Sequence, residues 1–92
     1  SMNAPVHFTQ PDAGNPQQAI VQAAQEVCRL ERERLHPDAS LEQDLGINQA
    51  RIGEMLKHLQ PAYPQAPEDP RMLAACRTWG EFMVQAIRLL RP

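Results

Sequence analysis

Proline placement constrains this chain more than any other feature. Pro37 and the set Pro61, Pro64 and Pro67 cut a helix-favouring sequence into segments, while Pro16 and Pro70 each follow a residue that can cap a helix. Proline lacks a backbone N–H and pushes the residue before it out of the helical region, so it ends one helix and is welcome only in the first turn of another. The whole chain has twelve Ala, nine Leu and ten Gln against four Val, four Ile and two Thr. Ala and straight-chain residues lose little rotamer freedom in a helix. No run alternates with period two, so the expected fold class is all-α.

The breaks and caps predict the elements. Asn15-Pro16-Gln17-Gln18 supplies a cap, a first-position proline and a Gln three residues on, opening a helix expected to run over 16–35. Ile20, Ala24, Val27, Cys28 and Leu35 share its apolar face, which Glu31 interrupts, and Arg29 is spaced to pair with Glu33. A long connection over 36–47 carries its own turn, in which Ser40-Leu41-Glu42-Gln43 matches a capping box, Leu41 and Leu45 point inward and Gly46 marks the exit. Asn48 caps a second helix over 48–60 with Ile52, Met55, Leu56 and Leu59 inside. Asp69-Pro70 opens a short helix near 69–76, and the Thr78-Trp79-Gly80-Glu81 box starts a last one over 78–90. The expected core is Ile20, Val27, Leu41, Leu45, Ile52, Met55, Leu56, Leu59, Leu73, Trp79, Phe82, Met83 and Ile87, with Leu35 or Leu90.

Ninety-two residues suit one small domain. Residues 1–15 are expected to be a disordered lead-in, with Ser1-Met2 as a remnant of tag removal, and 16–92 the folded domain. A net charge of −2 with a single lysine is far from the basic excess that a phosphate backbone demands, so no nucleic-acid partner is expected. No apolar run nears the roughly 20 residues that cross a bilayer, and the first residues do not resemble a signal peptide, so the expected location is cytoplasmic, with no membrane partner. Cys28 and Cys76 form no C-x-x-C pair and are expected to be reduced and partly buried. His7, His36 and His58 lack metal-ligand spacing, and the chain has no Gly-rich phosphate loop, so no metal, cofactor or catalytic site is expected.

The run Leu41-Glu42-Gln43-Asp44-Leu45-Gly46-Ile47 ahead of the second helix, together with Arg77-Thr78-Trp79-Gly80-Glu81-Phe82, resembles the acyl carrier protein family. The likeness is greatest to carrier domains of polyketide and polyunsaturated fatty-acid synthases and covers about residues 17 to 90. In those domains an L-E-x-D-L-G-I-D-S-[LI] stretch closes the long loop, a short third helix follows, and an R-T-[LI]-x-[ED]-[LIF] stretch opens the fourth. The resemblance implies a four-helix bundle of three longer helices and one short one.

It also implies where the chemistry should be. Carrier domains attach 4′-phosphopantetheine through a phosphodiester to the serine of that motif, an exposed hydroxyl where backbone N–H groups and the helix dipole favour phosphate. Gln49 stands at the serine position, and a carboxamide does not attack the pyrophosphate of coenzyme A. Asn48 replaces the preceding acid. Where carriers present apolar side chains ringed by acids to their partner enzymes, this chain has Ala50, Arg51, Gly53 and Lys57, keeping only Glu54.

The resemblance therefore implies a non-catalytic, non-phosphopantetheinylated carrier-like domain, a structural or protein-interaction module whose partners are other domains or subunits of a polyketide or fatty-acid synthase. Asn48, Gln49, Ala50, Arg51, Gly53, Glu54 and Lys57 form its candidate partner surface. Two alternatives stay open: a genuine carrier modified at another serine, of which Ser40 is the only internal one, and a free-standing regulatory helical protein. Without the resemblance, Asn48 and Gln49 read as a helix cap and a solvated first-turn residue.

Overall fold

A computed structural model describes residues 14–92. The expected lead-in and tag remnant lie outside the described residues, apart from Gly14 and the cap Asn15. Among the described residues the chain is all-helical, with no strand: α1 spans Pro16–Cys28, α2 Gln49–Leu59 and α3 Trp79–Leu90, and 3₁₀ turns lie at Arg32–Arg34 and Pro70–Met72.

α1 starts as its sequence dictates, with Asn15 Oδ1 accepting from the Gln18 N–H at 3.1 Å. It buries Ala19, Ile20, Ala23 and Ala24 along one face, the three alanines letting the neighbouring helices approach closely. The expected extension to residue 35 is wrong. Arg29 takes the left-handed conformation at φ 58°, and its N–H and that of Leu30 turn back to the Ala24 carbonyl. Such a conformation is costly for a residue with a Cβ, but it resolves the conflict at Glu31. A continuous helix would carry that carboxylate along the apolar face; after the break Glu31 is exposed while Leu30 and Leu35 pack against the core. The expected Arg29–Glu33 pair is absent because no helix spaces the two.

The connection into α2 is a tight turn. Ser40 Oγ accepts from the Gln43 N–H at 3.1 Å, as a capping box requires. The reciprocal bond comes from Asp44 rather than Gln43: its Oδ2 accepts from the Ser40 N–H at 2.7 Å. Gly46 turns the chain at φ 66°, and the Ile47 N–H returns to the Leu41 carbonyl at 2.7 Å. Leu41, Leu45 and Ile47 are thereby buried. Asn48 then caps α2, its Oδ1 accepting from the Arg51 N–H at 2.9 Å, and Ile52, Met55, Leu56 and Leu59 face inward.

The proline-rich segment over 61–67 contributes two residues to the core. Tyr63 and Ala66 are buried, and Gln65 donates its side-chain amide to the Leu90 carbonyl, closing the end of α3. The short helix expected near 69–76 is only the 3₁₀ turn Pro70–Met72, capped by Asp69, whose Oδ1 accepts from the Arg71 N–H at 2.9 Å. Leu73 follows it into the core.

α3 is capped by Thr78, whose Oγ1 accepts from the Glu81 N–H at 3.2 Å; Glu81 reaches back to the Arg77 N–H at 2.8 Å. Trp79, Phe82, Ala86 and Leu90 are buried, whereas Met83 and Ile87, expected inside, are half-buried, as is Val27 on α1. Main-chain hydrogen bonds fasten the start of α3 to the loop. Leu41 N–H donates to the Arg77 carbonyl and Trp79 N–H to the Ala39 carbonyl, both at 2.9 Å, making an isolated antiparallel bridge between Ser40 and Thr78. α1 packs against both α2 and α3, and the Pro70–Met72 turn lies on α2.

Candidate functional site

The first turn of α2 projects from the turn at 41–47, and its position follows from that turn. Leu41, Leu45 and Ile47 anchor the loop inside, so Asn48, Gln49, Ala50 and Arg51 emerge exposed at the helix start. Glu54 and Lys57 continue the same exposed side. Arg51 Nη1 meets Glu54 Oε1 at 2.7 Å, an i,i+3 pair with both side chains about half exposed. Water screens such a pair, which therefore adds little to stability and leaves the two charges nearly cancelled towards a partner.

Gly53, on the same helix, is only partly exposed. Pro70 lies beside it, with Cγ 3.6 Å from where a Cβ on Gly53 would lie, an ordinary van der Waals distance. The structure thus leaves six of the seven candidate residues exposed and places the seventh, partly exposed, beside the Pro70–Met72 turn.

Beside Gln49 lies an open cleft of about 630 Å³ between the 40–47 turn, the start of α2 and the segment leading to α3, with Ser40, Gln43, Cys76 and Thr78 on its walls. The Ser40–Thr78 bridge brings these residues beside Gln49, and the sequence held only an indirect signal for it: both are cap residues of recognisable boxes, but nothing local says that the boxes pair.

Burial pushes the Cys76 thiol above its ordinary value, with the Glu81 charge acting in the same direction, so it remains a thiol and not a thiolate near neutrality. The Ser40 hydroxyl is engaged by the Gln43 N–H, and the Gln49 carboxamide is not a nucleophile. Cys28, on the α1 side of Arg51 and Glu54, is likewise pushed up, mainly by burial, with Arg51 opposing. Both cysteines are free and half-buried.

His58 stands about 13 Å further along the α2 axis than Gln49, at 1.5 Å per residue. Its Nε2 is enclosed and faces Glu26 Oε1 of α1 at 3.3 Å without hydrogen-bond geometry. Among the described residues, no three His, Cys, Asp or Glu side chains converge to hold a metal ion, and no helix is long and apolar enough to cross a membrane.

Comparison with protein-family models, with curated proteins and with solved structures finds no match to this chain. The likeness to carrier domains rests on the residues quoted for it.

Proposed function

We propose that residues 16–92 are a carrier-protein-like domain without a prosthetic arm, a non-catalytic structural or protein-binding module of a polyketide or fatty-acid synthase. In this reading the Pro70–Met72 turn stands where carriers have their short third helix, and the partners are other domains or subunits of the synthase. No nucleic acid and no membrane is involved, and the domain works in the cytoplasm.

One observation carries the reading: Gln49 is exposed as the first residue of α2, directly after the Leu41–Ile47 turn and its cap Asn48, where a carrier presents its serine. Exposure and a helix N-terminus suit an attached phosphate, whereas the side chain there cannot take one. Around it, Ala50, Arg51 and Lys57 replace the apolar and acidic pattern that carrier partners read. Complementary charge sets encounter rate and partner choice, so basic patches of ordinary synthase enzymes are poorly matched to this face.

The alternative of a carrier modified elsewhere needs Ser40, which is half-buried, capped onto Gln43 and paired against Thr78. Incubation with coenzyme A and a promiscuous phosphopantetheinyl transferase separates the two. The intact mass is expected to stay unchanged; a mass increase mapped to Ser40 would establish the alternative.

A further inference from the structure

α3 carries a second apolar edge beside the one in the core. Met83 and Ile87 are four residues apart and Val84 is three from Ile87, so the three share one side of the helix. Val84 is 50% exposed, and Met83 and Ile87 are half-buried, whereas Trp79, Phe82, Ala86 and Leu90 are inside. Exposed Pro37 lies over Gly80, with its Cβ 3.4 Å from where a Cβ on Gly80 would be, and extends this strip towards the start of α3. Pro37 and Met83 also border a groove of about 300 Å³, with half-buried Val21 and Leu35 on its other walls, so strip and groove form one surface.

Charge selects what fits the strip. Glu81 stands three residues before Val84 and Arg88 four after it, so the two exposed side chains border Val84 from opposite ends of the helix. The Arg77 N–H donates to Glu81 Oε1 at 2.8 Å, which holds that carboxylate at the edge, and Arg88 makes no ion pair among the described residues. In a two-fold pair the same surface meets itself. With antiparallel helices centred between Val84 and Gln85, Glu81 of each copy stands level with Arg88 of the other. With parallel helices, Glu81 would face Glu81 and Arg88 would face Arg88. Opposite charges favour the first arrangement, and like charges disfavour the second.

We propose that α3 packs antiparallel against α3 of a second copy of this chain, covering Met83, Val84 and Ile87 and pairing Glu81 with Arg88 across the two-fold axis. A contact built on one helix about 18 Å long, at 1.5 Å per residue, is small beside the roughly 800 Å² that a stable complex buries on each partner. The dimer is therefore weak and forms at high protein concentration. It uses no residue of the α2 surface and is independent of the carrier reading.

Sedimentation velocity on the whole chain, from micromolar to millimolar concentration, tests the pairing. A concentration-dependent dimer is expected. Val84→Asp, at an exposed position, should keep its helical circular dichroism and remain monomeric. Arg88→Glu should weaken the dimer about tenfold, because both cross-pairs turn from attractive to repulsive. A chain that is monomeric at millimolar concentration would overturn the proposal, as would a dimer that Val84→Asp leaves intact, since its contact would then lie elsewhere. A dimer that Val84→Asp breaks and Arg88→Glu does not weaken would overturn the antiparallel arrangement.

Discussion

The Gly80 N–H donates to the Pro37 carbonyl at 2.8 Å, and a Cβ on Gly80 would lie 2.9 Å from that same oxygen. A side chain and this hydrogen bond cannot coexist without movement of backbone. Gly80→Ala should therefore push the loop off the start of α3 and destabilise the domain by about 1–3 kcal/mol, the usual cost of overpacking. Urea unfolding followed by far-UV circular dichroism measures it; an unchanged midpoint would show that the loop contact is not under constraint.

Gly53 should behave in the opposite way. It lies in the middle of α2, its Cβ position has ordinary room beside Pro70, and glycine costs about 1 kcal/mol relative to alanine in a helix interior. Gly53→Ala should raise stability by up to about 1 kcal/mol in the same experiment. A loss would mean that the Pro70–Met72 turn sits closer to α2 in solution than 3.6 Å implies.

Both thiols should react slowly. Burial pushes Cys28 and Cys76 above the ordinary thiol value of 9.0, so the thiolate fraction at pH 7 is small and access is partial. Iodoacetamide labelling of the native chain should lag well behind labelling in denaturant for both sites, as read by peptide mass. Rapid native labelling of Cys76 would mark the cleft beside Gln49 as a reactive centre.

The contribution of Asp69 should disappear in acid. Hydrogen bonds from the Arg71 side chain, and then from its backbone, hold the Asp69 carboxyl below its ordinary value of 3.8. A carboxylate whose folded value is depressed stabilises the fold above its unfolded value and loses that contribution as pH falls through the folded one. The stability difference between the unmodified chain and Asp69→Asn should thus be constant at neutral pH and shrink below about pH 4. Denaturant titrations at several pH values read it, and a difference that persists to pH 2 would contradict the assignment.

Local signals in the sequence were legible where the structure is built from local bonds. Asn15, Ser40, Asn48, Asp69 and Thr78 each accept the backbone N–H expected of a cap. The α2 stripe is the predicted one because a single capped helix with one apolar face has a single way to pack. Features set by non-local contacts have no such signal. The end of α1 is fixed by burial of Leu30 and Leu35 against the core, which overrides the helical propensity of the run after Cys28. Tyr63 and Ala66 are drawn inside from a proline-rich segment with no helical period, and Ile47 is buried where its N–H returns to Leu41. The same limit holds at the candidate site. Gln49 and its cap follow from local pattern, but the cleft beside them is bounded by the Ser40–Thr78 bridge, a pairing of residues 38 apart in the chain.

The most direct test of a carrier-like position that has lost both its attachment residue and its recognition surface is gain of loading. Gln49→Ser alone, and Gln49→Ser combined with Asn48→Asp, Ala50→Leu and Arg51→Asp, would be incubated with coenzyme A and a phosphopantetheinyl transferase and followed by intact mass. Poor loading of the single variant and efficient loading of the combined one at position 49 is the predicted result. A combined variant that keeps its helical circular dichroism yet takes up no arm would contradict the account.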